Sequence, residues 1–290
     1  MLADNVVVVA RWSRSEEVRT NWGDRLNSDL IGRLSGLPVA HFNDVHNWRD
    51  RCVFRVIGSG LDTVADNDIV WGMGFIDAGS VPASRDATIL AVRGPRSRDR
   101  LLELGIECPA IYGDPAILYP LFYRPPVEQE YDVGIIQHCR ERGVVPEPVM
   151  GTDVKTLSID IMGGLYDVVQ KILSCKLIVS SSLHGVICAH AYGVPAYWLH
   201  ASDLPMGDGF KFLDYYASIG HAEPEPATVD ERGVIRLPAM SPGIAQTVLD
   251  PDALLNACPF ALDARKSGLI GYRKKLVGQG VKGTIFNPFE

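Results

Sequence analysis

An α/β fold made of two doubly wound units is what this sequence predicts. Three observations predict it. Short apolar runs alternate with amphipathic stretches. Several of the runs are near-continuous in Val and Ile, as in strands buried on both faces of a parallel sheet. The alternation stops at a polar, proline-bearing stretch, residues 124–130, and then restarts. Two such halves in tandem are expected to face each other across a cleft, lined by residues beyond the strand ends.

Val6 to Ala10 reads as the first strand, and Arg25 to Leu34 as a helix whose stripe is Leu26, Leu30, Ile31 and Leu34. Cys52 to Ile57, Ile69 to Trp71, Thr88 to Val92 and Ala110 to Tyr112 read as further strands, and Arg98 to Leu104 as a helix stopped by Gly105. Beyond the linker, strands are expected over Asp132 to Ile136, Leu157 to Ile159, Leu177 to Ser180 and Ala196 to Leu199. Helices are expected over Leu165 to Leu173 and Gly185 to Tyr192. The domains predicted are residues 1–124, residues 131–260 and a tail, 261–290, basic around Arg273, Lys274 and Lys275.

Charge and composition exclude some functions. The 290 residues are 47% apolar and 22% charged, an ordinary globular balance, and the net charge of −7 argues against a nucleic-acid binder, which needs a basic face. No stretch approaches the ~20 apolar residues of a membrane span, and the start carries no basic flank or cleavage pattern. A cytoplasmic protein is expected, with peripheral contact at the inner membrane surface allowed. The six scattered cysteines lack CxxC spacing and read as buried free thiols. No metal constellation is visible, and no metal is predicted.

Six short motifs stand out, five of them at predicted strand ends and the last on a predicted helix. In Asn21-Trp22-Gly23-Asp24, Gly23 permits close approach to a ligand, and Asp24 offers a proton acceptor or a hydroxyl partner; it reads equally as the N-cap of the next helix. Trp71-Gly72-Met73-Gly74-Phe75 is either a tight turn or a backbone approach through Gly74. Val92 to Ser97 puts Arg93 at a strand end, where a guanidinium suits a carboxylate or phosphate. Tyr112 to Ala116 reads as structural, with Asp114 as a helix cap. Ser180-Ser181-Ser182-Leu183-His184-Gly185 joins hydroxyls and a helix N-terminus, an anion site, to a histidine able to exchange protons near neutral pH. Lys211, in Gly209 to Tyr216, is a second candidate cation. His190 reads as a structural core histidine.

Taken in order, NWGD at 21–24, WGMGF at 71–75, VRGPRS at 92–97, YGDPA at 112–116, SSLHG at 181–185 and KFLDYYASIG at 211–220 resemble the polysaccharide pyruvyl transferase family. The resemblance spans about residues 20–220. It implies a fold like that of GT-B glycosyltransferases, with an acceptor-side first domain and a donor-side second one. It implies phosphoenolpyruvate as donor, no separate cofactor, a saccharide acceptor (free or lipid-linked) and a pyruvate ketal as product. Arg93 and His184 are then expected at the donor site. His184 would serve as acid or phosphate partner, and Arg93 and Lys211 as anion holders. Ser181 and Ser182 lie beside them, and Asp24, Asn21, Gly23 and Gly74 face the acceptor. Many relatives carry arginine where this chain has Ser182, so another cation must hold the donor anion. Two rival readings follow: a nucleotide-sugar glycosyltransferase on the same fold, and a non-catalytic sugar-binding relative.

Overall fold

The structure, a computed structural model, describes residues 7–221, 224–238 and 248–279. Val6, the start of the first expected strand, and residues 280–290 of the tail lie outside them. The chain is mixed α/β, with two parallel-rich sheets.

The first sheet has the order β2-β1-β3-β4-β5. Its strands are β1 (Val8–Ala10), β2 (Val39–His41), β3 (Val53–Arg55), β4 (Asp68–Trp71) and β5 (Thr88–Ala91), and every pairing is parallel. Two helices belong to it, α1 (Trp22–Ser35) and α2 (Pro95–Glu103). Helix α1 buries Leu26, Leu30, Ile31 and Leu34, the stripe its sequence shows, and Gly36 ends it at φ 72°. Helix α2 starts with Pro95 in its first turn, three residues before the expected Arg98. Strand β2 is too short to show a pattern. The expected strand over Ala110 to Tyr112 reduces to a single bridge, Val92 to Tyr112. Gly113 at φ 136° and Pro115 then turn the chain into a wholly buried 3₁₀ segment, Pro115–Leu121.

After residues 124–130 comes β6 (Tyr131–Ile136), then β7 (Thr156–Ser158), α3 (Leu165–Leu173), β8 (Cys175–Ser180), α4 (Leu183–Ala191), β9 (Ala196–His200), α5 (Phe210–Ser218), β10 (Ala227–Val229) and β11 (Ile235–Arg236). The second sheet has the order β11-β10-β9-β8-β6-β7, with only the β10–β11 pair antiparallel. Two closing helices, α6 (Pro251–Asn256) and α7 (Asp263–Gly278), pack back on the first sheet: the Trp71 indole donates to the Leu254 carbonyl at 2.9 Å, and Phe260 meets Phe54 and Trp71 edge-on.

One apolar core runs through α1, the 115–121 segment, α3 and α4 to Leu249 and Leu254. Cys108, Cys175, Cys188 and Cys258 are buried thiols, whereas Cys52 is exposed and Cys139 half-buried. No helix among the described residues is long and apolar enough to cross a membrane.

Candidate functional site

In each sheet the chain reverses its direction of winding beside one strand. β1 lies between β2 and β3, and β6 between β7 and β8. Ligands of open α/β sheets collect beyond the carboxyl ends of strands at such switch points. A cavity of about 650 Å³ lies there, lined by Arg11 to Ser15 after β1, Arg55 to Gly60 at the end of β3, and His138 and Arg140 after β6. Asp24 of α1 and Lys211 of α5 complete its polar wall. Five cations, Arg11, Arg14, Arg55, Arg140 and Lys211, line it with Glu17 and Asp24; Arg14, Arg55 and Arg140 face Asp44, Asp68 and Glu17, which leaves Arg11 and Lys211 without a carboxylate ion pair among the described residues. On a chain of net charge −7 that local excess favours an anionic ligand. A second hollow, of about 550 Å³ around Gln137, Arg142 and Asp160, holds none of the motif residues.

The NWGD and SSLHG segments meet. Asn21, not Asp24, caps α1: its side-chain oxygen accepts from the Gly23 amide at 3.1 Å. The start of α1 is held on the second half by the Trp22 amide on the Ile161 carbonyl (2.9 Å) and its indole on the Leu165 carbonyl (3.1 Å). This puts Gly23 against the imidazole of His184, where a Cβ would stand 2.1 Å from Nδ1. The other ring nitrogen, Nε2, is 3.6 Å from Asp114, whose remaining oxygen accepts the Ala116 amide at 3.0 Å. Neither Nε2 nor the facing Asp114 oxygen has a hydrogen-bond partner. Asp114 therefore caps the 3₁₀ segment and also faces the histidine, beyond hydrogen-bond distance. The sequence signalled only the first role, because the second joins residues 70 positions apart.

His184 does not line the cavity, but its charge reaches two residues that do. Burial pushes Asp24 up to about 6, against the opposing pull of His184 and an amide hydrogen bond from Ser13. Burial pushes His138 down to about 4, reinforced by Lys211, Arg140 and His184. Lys211 is lowered to about 8, by burial first and by Arg93 next. Its ammonium donates to the Met206 carbonyl at 3.1 Å.

Arg93 requires a correction. The expected anion holder is 0% exposed and fully engaged by protein. Nε donates to Asp214 at 3.0 Å, Nη1 to the Ser59 hydroxyl at 2.7 Å, and Nη2 to the Phe75 carbonyl at 2.6 Å. Asp214 also accepts from the amide and hydroxyl of Ser97. Gly74 lies under the guanidinium, where a Cβ would come within 2.4 Å of Cζ, so it packs on Arg93 rather than on the cavity. The WGMGF, VRGPRS and KFLDYY motifs thus share one buried ion pair. A strand end can carry an arginine inward as well as outward, and Asp214 lies 121 residues away.

Both serines are buried. Ser181 accepts the His138 amide at 2.8 Å and donates to Glu141. It lines a smaller hollow of about 360 Å³, shared with Lys211. Ser182 donates its amide to the Ser180 hydroxyl at 3.0 Å. Glu141 is a residue the motifs do not reveal. It is fully buried and ties the ends of β6, β8 and β9 together through the His138 amide, Ser181 and Ser202. His190 is buried with Nδ1 3.1 Å from the Tyr215 hydroxyl.

The profile of the family Polysaccharide pyruvyl transferase matches residues 82–200, which carry Arg93, Asp114 and His184. The uncharacterized protein L143 of Acanthamoeba polyphaga mimivirus is 31% identical over 210 residues, 69% of this chain and 71% of that protein. The succinoglycan biosynthesis protein ExoV of Rhizobium meliloti (strain 1021) is 29% identical over 174 residues, 58% of this chain and 52% of ExoV, so the match spans about half of the ExoV length. A profile lying across the histidine and its carboxylate, with a relative matched over more than two thirds of both chains, places this chain in the polysaccharide pyruvyl transferase family.

Proposed function

We propose that this chain transfers the pyruvyl group of phosphoenolpyruvate to two hydroxyls of one sugar, releasing phosphate and leaving a pyruvate ketal on a cell-surface polysaccharide precursor. The observation that carries the reading is His184, set between Asp114 and Gly23 and beside an Asp24 whose carboxyl is raised to about 6. Family membership and the cationic cavity support it. The two halves then act as the domains of a GT-B-like enzyme, near 1–124 and 131–260, with the acceptor on the first and the donor on the second.

The chemistry needs an acid, a base and cations. His184, whose ring does not line the cavity in this structure, would turn toward it to give a proton to the methylene carbon of the donor, which becomes a methyl group and leaves C2 electrophilic. Asp24 takes the proton of the first sugar hydroxyl as its oxygen bonds to C2. The C2–O bond to phosphate breaks, the second hydroxyl adds, and its proton leaves with the phosphate. The books balance: donor plus diol gives ketal plus inorganic phosphate. Asp114 holds the imidazole, as a carboxylate behind a histidine does in acid–base sites. Lys211 and the N-terminus of α4 hold donor oxygens. Asn21 fixes the helix start that carries Asp24. Ser181 and Ser182 shape the turn before His184, and Arg93 and Gly74 frame the site from beneath.

The test is to incubate the protein with phosphoenolpyruvate and a panel of free, synthetic and lipid-linked glycosides, following phosphate release and the mass gain of one pyruvyl ketal. His184→Ala should keep a cooperative thermal transition and lose at least ~100-fold in turnover. His184→Gln should fare little better, because an amide cannot shuttle a proton. Near-normal transfer by the glutamine variant would remove the proton-transfer role. Binding that depends on a nucleotide sugar, with no phosphate release, would instead mark a glycosyltransferase.

A further inference from the structure

Two cations of the cavity are short of partners. Arg55 closes β3 with 2% exposure. Its Nη2 donates to the Gly60 carbonyl at 2.8 Å and to the Thr63 hydroxyl. Its Nε faces Asp68 at 3.6 Å, too far for a hydrogen bond, and neither Nε nor Nη1 has a hydrogen-bond partner. Buried donors left this way are costly and rare in folded proteins. Burial lowers the guanidinium to about 10, with Asp68 the largest opposing charge. Arg11, the first residue after β1, donates to the carbonyl of the same Thr63 at 3.3 Å and lies over the Phe42 ring. It makes no ion pair among the described residues. Other cavity arginines are neutralised, Arg14 by Asp44 at 2.6 Å and Arg140 by Glu17 at 3.0 Å.

The two under-paired guanidiniums therefore meet on Thr63, where the first sheet reverses its winding between β1 and β3. We infer that Arg11 and Arg55 form an oxyanion site that takes a phosphoryl group. A planar carboxylate offers two oxygens, whereas guanidinium donors arriving from two separate strands suit a tetrahedral group with three free oxygens. The inference deepens the proposed function, since it assigns a substrate group to the same cavity, but it does not depend on pyruvyl chemistry. The phosphoryl group has two possible sources, the donor's own phosphate or the diphosphate that joins a saccharide to a lipid carrier.

The test uses the full chain, calorimetric titration with inorganic phosphate, and pyruvate as a carboxylate control. Arg11→Ala removes a partly exposed side chain. Arg55→Lys keeps the buried charge but loses the fork, and thermal melts report whether each variant folds. Inorganic phosphate should bind the unaltered protein and bind both variants at least about tenfold more weakly, the loss of a charge-assisted contact, while pyruvate changes less. No phosphate binding by the unaltered protein, or unaltered phosphate affinity in a folded Arg11→Ala protein, would overturn the site. Michaelis constants then separate the sources. A rise confined to phosphoenolpyruvate assigns the donor phosphate, and a rise confined to a synthetic glycosyl diphosphate assigns the carrier. Phosphate affinity lost in Arg11→Ala, in a protein that transfers no pyruvyl group, would sustain the site and sink the function. Pyruvyl transfer with both constants unchanged in Arg11→Ala would do the reverse.

Discussion

Asp24 keeps its charge at the expense of stability. Its carboxyl is raised from 3.8 to about 6, chiefly by burial. The folded chain therefore holds this proton more tightly than the unfolded chain, and the group's contribution to stability falls as pH rises from about 4 to about 6, then stays constant. A shift of this size corresponds to about 2–3 kcal/mol. Asp24→Asn, which removes the buried charge, should raise the unfolding free energy at pH 7 by on the order of 1–2 kcal/mol and leave stability near pH 4 almost unchanged. If Asp24 is the proposed base, the same variant should lose turnover, because an amide cannot accept a hydroxyl proton. In the unaltered protein, a base with this pKa predicts activity climbing as pH rises through about 6. A variant that is more stable at pH 7 and fully active would remove Asp24 from the reaction. The proposed role of Lys211 predicts the opposite limb: with its ammonium lowered to about 8, binding of an anionic ligand should weaken as pH rises past that value.

Among the elements, the start of α1 and the end of β5 show how motif glycines and arginines acquire their meaning. In most helices Gly→Ala is stabilising by roughly 0.5–1 kcal/mol. At Gly23 the new methyl would stand 2.1 Å from the His184 imidazole, so the ring must leave Asp114 or the helix must shift. Gly23→Ala should lower stability by about 1–3 kcal/mol, read in urea, and should cut turnover as deeply as loss of the histidine. Higher stability with full turnover would show that the ring is free to move. Arg93 makes the complementary case. Removing it strands Asp214 as a buried charge, so Arg93→Ala should cost about 3–5 kcal/mol in chemical denaturation. If the variant kept normal stability and lost only donor affinity, the guanidinium would be a ligand after all.

The same elements show what a sequence can and cannot disclose. Helix α1, helix α3 and the Val/Ile strands were legible because their patterns are local. The meeting of the NWGD and SSLHG segments was not legible, because it joins the Gly23 backbone to an imidazole of the second half. The partners Asp114, Asp214 and Glu141 were not legible in their roles. Each acts through a contact 40 or more residues away in sequence, and a lone carboxylate before a helix carries no mark of the residue it will meet.

In the whole molecule the two sheets share one large core, and each carries a smaller cluster of its own besides. The buried cluster passes from α1 and Trp71 through the 115–121 segment to α3 and α4, and it includes Leu249 and Leu254. The chain makes this closure physically: Leu249 donates its amide to the Ser218 carbonyl at the end of α5, and five residues later Leu254 is fully buried under Gly113, with its carbonyl on the Trp71 indole. A residue near the C-terminal end therefore seals the first sheet, next to the Asp114 that faces His184. Leu254→Ala should leave a cavity between Gly113 and Trp71 and cost about 2–5 kcal/mol. Because the core is continuous, the cost should appear as one transition moved down by on the order of 5–10 °C, not as early melting of one half. Tryptophan emission, from Trp12, Trp22, Trp48 and Trp71 in the first half and Trp198 in the second, should fall in step with far-UV circular dichroism. Turnover of the folded variant should fall too, since the floor beneath Asp114 has been removed. Two separated transitions, with the substitution shifting only one, would show that the halves unfold as independent units and that the closing helices stabilise the first sheet alone.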